Sequence, residues 1–314
     1  MRQENESAVY TGSLARVLAL QDLLRIRAQL AAKRGNQLDV GAFVCALPAT
    51  VAASLSAVLA RFQIELATEH ILAVSTVITL GLKIAATLYK NSARHFNWVS
   101  RRALAIAMPC RAFDAEPRQV DWEAVYSKVD RAIAIRELDA HIADPKQAAR
   151  FATWWQLAGR DAGLPRLAGL LIENVGWTKD ILRSAKRRRQ QRLTGAVVIF
   201  TLVLFMGIIL APASTRSLVE SAVLPIILFL LAINGLGLSR DVHNAQRECE
   251  AIYNSLRGIE TQENTEASVL ASMGRYFAVS SAIPPVSSAD YSRMRSELSR
   301  RYSASNLQKD LSGA

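Results

Sequence analysis

The alternation of apolar and polar stretches divides the chain into blocks. Val40 to Ala60 carries no charge, and at about 1.5 Å per residue that length matches a hydrocarbon layer of roughly 30 Å. Ile71 to Tyr89 is a weaker second block, rich in Thr, Ser and Ala and interrupted by Lys83. Leu193 to Thr215 is unbroken, and Leu218 to Leu238 holds Glu220 as its charge. Read by length and hydropathy, these four blocks predict four transmembrane helices arranged as two hairpins.

The stretches between the blocks show helical spacing. Trp122, Val125, Tyr126, Val129 and Ile133 recur at three and four and make one apolar stripe. Asp144 and Pro145 read as a helix start, Gly163 as a stop, and Phe151, Trp154 and Trp155 cluster on the helix between them. A third helix, from about Leu164 to Arg192, is expected to run straight into the third block. Beyond the fourth block, Val242, Ala245, Cys249, Ile252, Leu256 and Ile259 form a heptad seam that resumes at Leu270, Met273 and Phe277. That seam suits either a coiled coil between subunits or packing against the chain's own helices. Pro284 and Pro285 force a turn, after which Tyr291, Met294, Leu298 and Tyr302 share one face. Ser13 to Arg34 is also helical in composition, and no alternating run is long enough for a sheet.

Charge orients this scheme. Arg183, Lys186, Arg187, Arg188, Arg189 and Arg192 end where the third block begins, and bases in short flanks hold a helix end on one side. Lys33 and Arg34, Lys90 and Arg94, and Arg240 flank the other blocks on that same side, whereas the opposite connectors are short and nearly balanced. The expectation is an all-α membrane protein with four transmembrane helices in two hairpins, a helical cytosolic insert and a helical C-terminal region. Its parts are residues 1–38, a hairpin over 39–89, a cytosolic region over 90–192, a second hairpin over 193–239, a helical region over 240–303 and a tail from 304 to 314. The expected location is a bacterial inner membrane, multi-pass, with both termini cytoplasmic.

Composition agrees with a greasy, basic chain: 51% hydrophobic residues together with a net charge of +11. Electrostatic binding of a nucleic-acid polymer is disfavoured, because the basic cluster has only Trp177 as a nearby aromatic in the preceding helix. Anionic lipid headgroups fit the same bases better. Three cysteines without a CxxC pair indicate a reducing compartment. The N-terminus lacks the features of a cleaved leader and reads as retained.

Catalytic signatures are missing from the pattern. There is no phosphate loop, no HExxH and no GxSxG, and the histidines at 70, 95, 141 and 243 are scattered, so no enzyme, metal or cofactor is expected. His141 with Asp144 reads better as a helix end than as a catalytic pair. Charge inside an apolar block asks for a reason. Lys83, Thr76 and Thr79 lie toward one side and, with Glu220, are pore-lining candidates, while snorkelling is the plainer account of Lys83 and Glu220. Pro48 and Pro225 are candidate kinks. For an anionic nucleotide, Arg101, Arg102 and Arg111 are the weak candidates.

Several stretches are similar to the bacterial SMODS-associating four-transmembrane effector family. They are "RQENE" at Arg2 to Glu6, "LLRIRAQLAAKR" before the first block, "ENVGWTKDILR" from Glu173 to Arg183, and "IPPVSSADYSRMRSE" near the end. The resemblance implies an anti-phage effector switched on by a nucleotide second messenger, such as a cyclic oligonucleotide, that permeabilises the inner membrane as a homo-oligomer and arrests the infected cell. The alternative function is a non-pore adaptor or scaffold that recruits a soluble partner through its cytosolic helices.

Overall fold

A computed structural model describes residues 13–59, 68–118, 162–210, 236–259 and 266–283, with isolated positions at 125, 128, 138, 141 and 294. Within them the chain is helical: α1 is Ser13–Leu59, α2 Thr68–Ala112, α3 Leu164–Leu210, α4 Leu236–Ile259 and α5 Glu266–Ala282. The helix expected from Leu164 does continue through the basic cluster into the third apolar block, as one 47-residue element. Its first turn opens at Gly163, whose carbonyl accepts from the Leu167 N–H at 3.0 Å. Gly163 has φ +112°, where a side chain would be strained, so this glycine starts α3.

The four-span reading is corrected. Among the described residues no helix is long and apolar enough to cross a membrane, so the all-α part of the expectation stands and its transmembrane, pore-forming and multi-pass inner-membrane parts do not. The apolar blocks are portions of longer helices that also carry charge. The first continues from a segment containing Lys33, Arg34 and Asp39, the second contains Lys83 and the third follows the basic cluster within α3. Residues 211–235, with most of the fourth block, Glu220 and Pro225, lie outside the described residues.

Two compact units divide the chain, each assembled from separated stretches. One comprises 1–30, 92–184 and 242–314, the other 31–91 and 185–241. The first unit contains two apolar clusters. In one, Leu104 and Met108 of α2, Leu167, Leu171 and Leu182 of α3, Cys249, Ile252 and Leu256 of α4, and Val269 and Tyr276 of α5 are buried together. The heptad seam of α4 is therefore spent on the chain's own helices. In α5 the buried positions are Val269, Ser272, Tyr276 and Ser280, one residue earlier than the register read from Leu270, Met273 and Phe277. Leu270 is 43% exposed. The other cluster joins Val17, Leu20 and Leu24 of α1 to Val99, Ala103 and Ala107 of α2, and it also takes in Val125 and Leu138.

In the second unit α1 and α2 run antiparallel: Arg34 lies over the Tyr89 ring, and Asp39 meets Lys83 and Lys90. Their contact is made of small side chains at heptad spacing. Ala32, Gly35, Ala42 and Ala46 are buried on α1, and Thr79 and Ala86 on α2. Side chains that short let two helix backbones approach closely. A Cβ added at Gly35 would come within 3.0 Å of Lys90 Cγ and 3.2 Å of the Ala86 carbonyl oxygen.

Candidate functional site

Three polar groupings and one exposed apolar surface stand out from this framework. The first grouping surrounds Asp39, halfway along α1 and on its inward stripe. Lys83 Nζ donates to Asp39 Oδ1 at 2.9 Å, and Lys90 donates to the other carboxylate oxygen. Lys83 thus has an ion partner on the neighbouring helix. Thr79, one turn away, is buried, and Thr76 is exposed. The side of α2 read as a water path is here a helix–helix contact.

The second grouping is in the first unit at Asp22, which is fully buried. Arg25, one turn on, donates to Asp22 Oδ1, and His141 Nε2 lies 3.4 Å from Oδ2. Beside it Gln21 Nε2 donates to Ser100 Oγ at 3.3 Å, and Ser100 Oγ donates back to the Gln21 carbonyl at 2.9 Å. The carboxylate near His141 is therefore Asp22; Asp144 lies outside the described residues. The Ser100 hydroxyl is engaged by Gln21, and this pair holds α1 and α2 together.

The third grouping centres on Tyr276 of α5, also fully buried. Its hydroxyl lies 2.9 Å from Thr178 Oγ1, receives a hydrogen bond from Arg101 Nη1 at 3.2 Å and donates to the Asn174 carbonyl at 3.4 Å. One phenol thereby ties α2, α3 and α5. Asn97 Nδ2 donates to the carbonyls of Ser280 and Ile283, at 3.3 and 2.9 Å, at the end of α5. Burial pushes the Cys249 thiol up to about 11, a rise that Arg101 partly opposes and Glu248 adds to, so the thiol stays protonated and unreactive at neutral pH. Burial also lifts Glu173 of α3 to about 7.

The three arginines proposed for a nucleotide make different contacts. Arg101 engages Tyr276, Arg102 lies over the Trp98 ring at 4.8 Å, and the Arg111 carbonyl accepts from Arg166 at 3.4 Å. In the basic cluster, Arg183 pairs with Glu250 at 3.5 Å, both side chains well exposed, and Arg187 is exposed. The side chains of Arg188, Arg189 and Arg192 lie outside the described residues, although their backbone is helical. Among the described residues no three His, Cys, Asp or Glu side chains could hold a metal ion.

The apolar surface belongs to the second unit. On α2, Val74, Val77, Ile78, Ile84 and Leu88 are between 46% and 70% exposed, on the side away from Thr79 and Ala86. On α3, Val197, Val198, Leu202 and Phe205 are between 41% and 60% exposed. Hydroxyls on these faces turn inward: Thr87 Oγ1 donates to the Lys83 carbonyl and Thr201 Oγ1 to the Val197 carbonyl, each at 2.8 Å. The sequence pointed at these residues by hydropathy, whereas Asp22, Asp39 and Tyr276 went unremarked. Asp39 had a signal, as a carboxylate within an Ala/Gly stripe. No family model matches the chain, and neither does any curated protein or solved structure.

Proposed function

We propose that this chain is a helical adaptor or scaffold that recruits a protein partner through the apolar faces of its second unit. The observation carrying this reading is the α2 stripe, where Val77 is 70%, Ile84 56% and Leu88 63% exposed on the side opposite a packed helix contact. Monomers rarely leave contiguous apolar area above a few hundred Å² uncovered, and patches of that kind mark interaction sites. The Asp39 grouping supports the same reading, since it joins α1 to α2 within the unit that carries the surface. The resemblance to anti-phage effectors supports a setting in second-messenger signalling, with a nucleotide as ligand and self-assembly as further expectations.

The test is co-expression with the neighbouring genes and measurement of the mass of the purified assembly. Val77→Glu with Leu88→Glu is expected to release the partner while the circular dichroism spectrum stays that of the parent. An assembly of unchanged mass in that double variant would remove the adaptor reading.

A further inference from the structure

We infer that the protein taken up by the α2 face is a second copy of this chain, laid antiparallel across a two-fold axis at Gly81; the inference rests on the adaptor reading and names its partner on that face. Val74, Val77, Gly81, Ile84 and Leu88 step by three, four, three and four along α2, and each is exposed. Ile78 and Leu80, also exposed, flank that row. On the opposite side of the helix, Thr79, Lys83, Ala86 and Lys90 keep the same kind of spacing and face α1. So α2 carries a helix-receiving seam on each side, and α1 covers the inner one.

Symmetry selects the occupant of the outer seam. Val74 and Leu88 lie seven residues to either side of Gly81, with Val77 four before it and Ile84 three after. When a second α2 is turned end for end about Gly81, its Leu88 meets Val74, its Ile84 and Ala85 reach the level of Val77, and the two glycines meet at the centre. Nothing lies within 4 Å of a Cβ built on Gly81, so that centre is open to another backbone. A patch that complements itself on rotation is what a two-fold dimer requires.

Charge agrees with this choice. From Ile71 to Tyr89 the one charged side chain is Lys83, and it donates to Asp39 on the inner side. The outer row is therefore neutral. It gives an acidic or basic partner nothing to pair with, and two copies meet on it without opposing like charges, although each chain carries a net +11. The area is also of the right order: Val74, Val77, Ile78, Leu80, Ile84 and Leu88 together present on the order of 500 Å², the larger part of the roughly 800 Å² that each member of a stable dimer buries.

The test uses the purified full chain without its neighbours. Light scattering after gel filtration is expected to give twice the monomer mass, and Val77→Glu with Leu88→Glu to give a monomer with the helical spectrum of the parent. Orientation is read with a short bismaleimide in a Cys45→Ala, Cys110→Ala background. Gly81→Cys is expected to link to itself, and Val74→Cys to link to Leu88→Cys in a mixture of the two at least tenfold faster than either links to itself. A dimer in which Val74→Cys links to itself as readily overturns the antiparallel seam. A monomeric chain overturns the inference; if the co-expressed assembly still loses mass in Val77→Glu with Leu88→Glu, the adaptor reading stands, and if it does not, both fall. A monomer retained by phosphatidylcholine vesicles, and released from them by the same pair of substitutions, assigns the face to lipid and overturns the inference as well.

Discussion

Asp39 shows how a single carboxylate can decide the fate of two lysines. Lys83 and Lys90 are each roughly a fifth exposed and share its two oxygens, so removing Asp39 leaves two like charges close together in a partly dry contact. Asp39→Ala is expected to cost about 1–3 kcal/mol in urea unfolding, above the median for an exposed pair. Adding Lys83→Met should return part of that loss. Glu173 acts in the opposite sense. Burial raises its folded-state pKa to about 7, so below its unfolded value the carboxyl is neutral in both states and costs nothing. As pH rises toward 7 the unfolded chain ionises first and the fold loses stability, by about 3 kcal/mol at most. Urea midpoints at pH 5 and pH 8 should therefore converge in Glu173→Gln relative to the parent.

At the scale of the helix, two glycines separate packing from propensity. Gly35 faces Lys90 and the Ala86 carbonyl, whereas nothing lies within 4 Å of a Cβ built on Gly81. Gly81→Ala is expected to stabilise α2 by up to about 1 kcal/mol through backbone entropy. Gly35→Val should destabilise by about 1–3 kcal/mol, because it forces α1 and α2 apart. Thermal melts of the two variants should move in opposite directions. How much was legible beforehand follows the same contrast. The α4 stripe from Val242 to Leu256 could be read because large apolar residues alternate with charged ones. The α1 contact could not, since Ala28, Ala31, Ala32, Ala42 and Ala46 surround it with residues that have no preference for one face. Lys83 looked anomalous in an apolar block because its partner is 44 positions away, on another helix. Hydropathy located the apolar runs, and it read their length as a bilayer span without the information that Ala42 and Ala86 are consumed in a helix–helix contact while Val77 and Leu88 stay outside. The α5 register slipped by one, with Val269 and Tyr276 buried where Leu270 and Phe277 were read as the seam.

Among the described residues the large buried side chains are divided unevenly. The most completely buried large side chains that are described, Tyr276, Leu20, Met108, Leu167, Ile252 and Leu256 among them, all belong to the first unit. In the second unit the buried described residues are alanines, a glycine and a threonine, while Val40, Val44, Val77, Leu88 and Phe205 are exposed. At about 25 cal/mol per Å² of apolar area removed from water, a contact built from Ala and Gly contributes far less than one built from Leu and Tyr. The two units should then lack a common unfolding transition. In hydrogen exchange followed through a urea series, amides of residues 74–90 are expected to lose protection at lower urea than amides of residues 167–182. A bound partner that covers the α2 and α3 faces should raise the first transition and leave the second where it was, since it adds large-residue burial to one unit only. Coincident transitions in the uncomplexed chain would mean that the second unit already draws its stability from apolar contacts of its own, and the case for a partner-completed surface would lose its energetic basis.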